Sequence, residues 1–152
     1  MAELKERLRA DLNAAMRARD QVRMRTLRMA LSSITNEEVA GASARQLSDE
    51  EVMKVLTREA RKRREAAEAF GAAGRVDQAA AERAEGEVLA GYLPAQLSDD
   101  ELSALVAAAI AETGASGMPG MGQVMKTLTP QIAGRADGAR VAAEVRRRLA
   151  AS

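Results

Sequence analysis

AGYLPAQLSDDELSAL, Ala90 to Leu105, sets a helix stop beside a helix start. Pro94 drives Leu93 out of helical geometry, so a helix arriving through Val88 and Tyr92 ends there. Ser98 with Glu101 three residues on is a capping box, in which each side chain satisfies the free amide of the other residue. Leu97 and Leu102 stand at hydrophobic-staple spacing around that cap. A chain that closes one helix on a proline and opens another at once divides into two helical parts. The expectation is an all-α, two-part protein, with an N-terminal helical bundle over residues 1–95 and a small three-helix tail over 96–152.

The same cap occurs upstream, in QLSDEE from Gln46, with Ser48 and Glu51 as the box and Leu47 and Val52 as the staple. The flanking residues differ, so these are two independent helix starts and not an internal repeat. The first helix reads from Ala2 to Arg17 on the stripe Leu4, Leu8, Leu12 and Ala15. Asp20 can cap the second, whose stripe is Met24, Leu27, Leu31 and Ile34. A connection at Gly41 leads to the long helix from Ser48, with Val52, Leu56, Ala66 and Phe70 inward and Gly71 and Gly74 ending it. Asp77 starts the fourth, with Ala81, Ala84, Val88 and Tyr92 in register. In the tail the stripes are Leu102, Leu105, Val106 and Ile110, then Met121, Val124, Met125, Leu128 and Ile132 after a small-residue loop from Gly114 to Gly120. Asp137 caps the last helix, with Val141, Val145 and Leu149.

The composition agrees. Only 1% of the 152 residues are aromatic, Phe70 and Tyr92, so the core is built from Leu, Val, Ile, Met and Ala, which suits helices better than sheets. With no histidine and no cysteine, His-based acid–base chemistry, Cys nucleophiles and the usual Cys/His zinc sites drop out. No catalytic residue, metal or cofactor is assigned. The hydroxyls of Ser32, Ser33, Thr57 and Thr127 lack the strand–turn–helix setting of a nucleophile. The charged N-terminus and the lack of a long apolar run make a cytoplasmic protein with no membrane role the expectation.

Charge is segmental. Lys5 to Arg28 carries eight basic and three acidic residues, Lys54 to Arg64 six basic against Glu59, and Arg75 to Glu101 two basic against seven acidic. Two readings stay open: the segments pair with one another across an antiparallel bundle, or the basic ones form a face for a polyanion. Glu59 and Arg63, four apart at the edge of the long stripe, read as a structural pair. Arg146 to Arg148 complement the dipole of the last helix.

MGQVMKTLTPQIAGRADGARV, Met121 to Val141, is the stretch with most functional content. At 100° per residue, Gln123, Lys126, Thr127 and Pro130 fall away from the apolar stripe. Arg135 sits in a turn beside Gly134. The helix start that follows is occupied by the Asp137 carboxylate, so phosphate contacts would come from the Lys126 and Arg135 side chains and not from free amides.

VLTREARKRREAAEAFGAAGRVDQAAAERAEGEVLAGYLP, Val55 to Pro94, resembles the YqeY family. The marks are Arg58, Glu59, Arg61, Arg63 and Arg64, then Phe70, Ala73, Gly74, Arg75 and Asp77, then Leu89, Tyr92, Leu93, Pro94, Gln96 and Leu97. Arg28 and Asn36 in LRMALSSITNEE fit as well. GQVMKT followed by GRADGARVAAEVRRRL is similar to the tail domain of the B subunit of the glutaminyl/asparaginyl-tRNA amidotransferase, a part of that family taken to help hold the tRNA body. The chain departs from it in its Gly/Met-rich approach, Gly117 to Gly122, and in Pro130. The resemblance implies a tRNA-binding or structured-RNA-binding accessory module, with Gln123, Lys126, Arg135, Arg28, Arg61 and Arg64 as nucleic-acid contacts. It also implies an amidotransferase or aminoacyl-tRNA synthetase partner, and a family link to carbon–nitrogen ligases that use glutamine as amido donor, without catalysis by this chain alone. The alternatives are a component of an amidotransferase complex and a helical protein-interaction module with no RNA ligand.

Overall fold

The computed structural model describes residues 3–151; Met1, Ala2 and Ser152, which the expected helix and domain bounds include, lie outside the described residues. Among those residues every regular element is helical. Packing divides the chain into two compact units after Pro94. The first holds α1 (Glu3–Ala18), α2 (Gln21–Val39), α3 (Asp49–Ala72) and α4 (Val76–Ala90). The second holds α5 (Asp99–Thr113), a 3-10 turn (Met118–Gly120), α6 (Met121–Ile132) and α7 (Gly138–Ala151). No helix of the described residues is long and apolar enough to cross a membrane.

In the first unit the caps at Asp20 and Ser48 form as read. The Asp20 carboxylate accepts from the Arg23 amide at 3.1 Å and starts α2. Ser48 Oγ accepts from the Glu51 amide, and Glu51 Oε1 accepts from the Ser48 amide, both at 3.2 Å. The end of α1 is less ordinary. The Asp20 amide reaches the Ala15 carbonyl at 3.0 Å and the Arg19 amide the Met16 carbonyl at 3.3 Å, a Schellman closure. Arg19 takes the left-handed conformation that closure requires, φ +56°, which costs a residue with a Cβ about 1–2 kcal/mol.

The core of this unit is Leu8, Leu27, Ala30, Ile34, Leu47, Val52, Val55, Leu56, Leu89 and Tyr92. It reaches only partway along α3. Further out the α3–α4 hairpin is packed by Ala67 and Ala79 alone among buried apolar residues, and by ions. This corrects part of the expected pattern. On α3 the buried place falls to Ala67, leaving Ala66 and Phe70 partly exposed. Gly71 lies inside the last turn, and Gly74, at φ +76°, makes the bend. On α4 Ala81 is exposed and Ala84 and Val88 are half-buried, whereas Ala79 and Leu89 are buried. The helix starts after Arg75, with Asp77 in its first turn and not at the cap. It stops at Ala90, before the proline can act.

In the second unit the stripes turn inward, with Leu105, Ile110, Met121 and Met125 half-buried at the edge of the core and Ala109, which the expected stripe left out, buried in it. Leu102, Val106 and Ala109 on α5, Val124, Leu128 and Ile132 on α6, and Val141, Val145 and Leu149 on α7 are all buried in one cluster. The Ser98–Glu101 box is present. Gly114 ends α5 at φ +67°. Gly120 is required by closeness, since a Cβ there would sit 2.6 Å from the Ala115 Cβ. Pro130 lies within α6 and is exposed, so its ring stays out of the core.

Candidate nucleic-acid interface

On α6 the buried Val124, Leu128 and Ile132 point one way, and Gln123 and Lys126 are exposed on the other. Thr127 Oγ1 donates to the Gln123 carbonyl at 3.1 Å, a bond along the helix that does not engage the Gln123 side chain. Among the described residues Lys126 has neither ion pair nor side-chain hydrogen bond. Its stem is anchored on a helix whose other face is locked, so the ammonium is held at the surface without being neutralised.

Arg135 is placed differently from the expectation that its side chain is unspent. It is half-buried and donates from Nε to the Ala95 carbonyl at 3.3 Å. Its own carbonyl accepts from the Leu97 amide at 2.8 Å, and Gln96 Nε2 donates to the neighbouring Gly134 carbonyl at 2.8 Å. The turn of Gly134 (φ +74°) and Arg135 is therefore the clasp that holds residues 95–97. Arg135 also helps to keep the Glu101 carboxyl below its usual range, after the stronger bonds from Ser98. The cap at Asp137 is in place, its Oδ2 accepting from the Arg140 amide at 3.3 Å, so the start of α7 already faces a carboxylate.

The three contacts assigned to the first unit separate. Arg28 on α2 and Arg64 on α3 are exposed. Arg61 is half-buried and pairs with Glu65 at 3.4 Å. The neighbouring cations of the basic segments are largely spent within the unit. Arg58 meets Glu37 at 3.0 Å, Arg25 meets Glu85 at 2.8 Å, and Arg63 lies 3.3 Å from Glu85 and 3.8 Å from Glu82. The pairing reading of the charge pattern thus holds for these residues, while Arg28 and Arg64 take no part in it among the described residues. Glu59 and Arg63 form the structural pair at 3.5 Å, and Glu59 also accepts from Ser33 Oγ at 3.0 Å.

Three features escaped the sequence. Lys5, on the edge of an apolar stripe, is buried and meets Glu38 at 2.7 Å. Tyr92 Oη donates to Asp11, receives Arg23 at 3.4 Å, and its ring lies under Arg7, 4.5 Å from the guanidinium carbon to the centroid. Burial first, and then the bond to Asp11, push the Tyr92 hydroxyl up to about 12. Glu144 gathers Ser103, Arg147 and Arg148 and is pulled down to about 2, chiefly by Arg147. The partners of Lys5 and Tyr92, and Ser103 beside Glu144, are distant in sequence and follow no period, so no local pattern announces them; Arg147 and Arg148 stand three and four residues after Glu144 on its own helix. The hydroxyls of Thr57 and Thr127 are spent on carbonyls of their own helices.

The chain matches the family model described as Yqey-like protein over residues 5–149. No curated protein matches it. Since the match runs through both units and nearly end to end, the chain belongs to the Yqey-like family.

Proposed function

We propose that this chain is an accessory module that binds structured RNA of the tRNA class, acting in translation in the cytoplasm and without amide-transfer chemistry of its own. The observation that carries this reading is the exposed face of α6, where Lys126 and Gln123 stand opposite a buried stripe and spend no side-chain group on the fold. A cation and an amide on a rigid helix suit phosphate and ribose contacts, which dominate recognition of paired RNA. Arg135 supports the reading less than its sequence position suggested, because it also holds the clasp at Ala95.

The test is a salt titration of bulk tRNA binding, comparing the full chain with Lys126→Ala. Loss of one phosphate contact flattens the slope of log affinity against log salt by about 0.7–0.9. The melting temperature should stay put, since the residue is exposed. Equal slopes and affinities would reduce the α6 face to a solvated surface.

A second reading, a protein-interaction module with or without an amidotransferase or synthetase partner, draws support from charge balance. Residues 95–152 hold six basic and six acidic residues, so the tail offers no broad positive field. Recovery of a protein partner without RNA in a pull-down would favour it.

A further inference from the structure

We propose that the turn joining α1 to α2 is a second contact for the phosphate backbone of a folded RNA, with Arg17, Arg19 and Arg28 as its cations. The inference rests on the reading of the chain as an RNA-binding module, but a different observation carries it. Among the described residues five take a positive φ, and four of them are glycines: Gly74, Gly114, Gly117 and Gly134. The fifth is Arg19, at φ +56°. It occupies the position of the Schellman closure where glycine is least strained and most often found. A strained backbone that keeps a long cationic side chain is a mark of use at the surface.

The surroundings fit a polyanion. Arg17, Arg19 and Arg28 are exposed, and none has an ion pair or side-chain hydrogen bond among the described residues. Only one carboxylate lies between Leu12 and Arg28, that of Asp20, and it is engaged by the Arg23 amide. Arg25, on the same exposed stripe of α2, is already held by Glu85. Asp11, the next acid upstream, accepts from the Tyr92 hydroxyl. Positive charge at this tip is therefore not cancelled locally. On a helix rising about 1.5 Å per residue, Arg28 lies roughly 10 Å along α2 from Gln21 and on the same side. Arg17 and Arg19 thus stand at the tip, and Arg28 adds a further exposed cation along α2.

A membrane surface suits the tip less well. Met16, 46% exposed, is the one large apolar side chain exposed near it, and the apolar stripe of α1 is turned inward. Interfacial helices need a free apolar face.

Arg19→Gly separates use from structure. Glycine relieves the left-handed strain while enlarging the unfolded ensemble, so the melting temperature should hold or rise by up to about 3 °C. Affinity for bulk tRNA should fall about fivefold at 0.1 M salt, with the salt slope flattened by about 0.7–0.9. Arg17→Ala should repeat the loss in binding. The experiment uses the full chain, with Lys126→Ala measured beside it. If Lys126→Ala weakens binding while Arg19→Gly and Arg17→Ala match wild type, the turn contact is overturned and the α6 reading stands. If only the turn variants weaken binding, the turn stands and the α6 face falls. A wild-type chain that binds anionic phospholipid vesicles and not tRNA overturns both. A clear drop in melting temperature for Arg19→Gly would show that Arg19 is kept for the fold, and would also overturn the inference.

Discussion

The two units solve the packing of helices by different means. In the tail, each of α5, α6 and α7 buries an uninterrupted apolar stripe in one shared cluster. In the first unit the apolar cluster fills one end, and the outer half of the α3–α4 hairpin is held by Glu59, Arg63, Glu82 and Glu85 around two buried alanines. Burial of an apolar stripe is favourable without regard to direction. A buried ion needs every partner in place, and losing one leaves a charge stranded. The tail should thus be most sensitive to loss of volume, and the hairpin to loss of charge.

The largest effect should come from volume in the tail. Leu128 is fully buried at the centre of α6. Leu128→Ala should cost about 3 kcal/mol, within the usual range for a buried leucine. A unit of this size has little stability to spare. We expect amide exchange to rise across α5 to α7 while α1 to α4 keep their protection. Equal loss in both units would erase the distinction between them.

Next comes charge in the hairpin. Glu59→Gln keeps the shape and the acceptor for Ser33 but removes the charge facing Lys62 and Arg63. It should cost about 1–2 kcal/mol, read as a lower melting temperature with faster exchange centred on α3 and α4. No change in either measure would mean that Glu82 and Glu85 suffice for Arg63.

The smallest effect is a titration. Glu144 joins α5 to α7 through Ser103 and Arg148, and its carboxyl lies at about 2 in the folded chain. The folded value is below the unfolded one, so the contribution is complete above about pH 4.5 and fades as the pH falls towards 2. Its surroundings are partly solvated, which keeps the contribution modest. Glu144→Gln should lower the melting temperature at pH 7 by about 1–2 °C and lower that at pH 2 much less. Parallel loss at both pH values would show that shape, and not charge, joins these helices.

The contrast also explains what the sequence could reveal. The stripe of α6 was readable to the residue, as were the caps at Asp20, Ser48, Ser98 and Asp137, because period and cap are local chemistry. The register of α4 was not. The positions it turns towards α3 include Glu82 and Glu85, and polar residues there hide the apolar period. Gln123 and Lys126 could be placed on the outer face because α6 has a clean period. Arg135 could not be judged, because its partner at Ala95 is forty residues away and belongs to no pattern. Arg19 lay outside every motif, and only its backbone angle singles it out.

The clasp at residues 95–97 has a consequence for a chain made from its N-terminus. The Leu97 amide is satisfied by the Arg135 carbonyl and the Leu97 carbonyl by Arg140 Nη1, each at 2.8 Å. The opening segment of the tail is thus fastened by residues synthesised some forty positions later, and α7 supplies Val141, Val145 and Leu149 of the apolar cluster later still. The first unit has all its partners once Tyr92 has emerged. Domains fold largely as units as they appear, so on the ribosome the helices of α1 to α4 can close while α5 waits with its apolar face uncovered. That interval is when Leu102, Val106 and Ala109 are most open to chaperones and to proteolysis. A stalled or truncated chain ending before Arg140 carries a finished first unit and an unfinished tail.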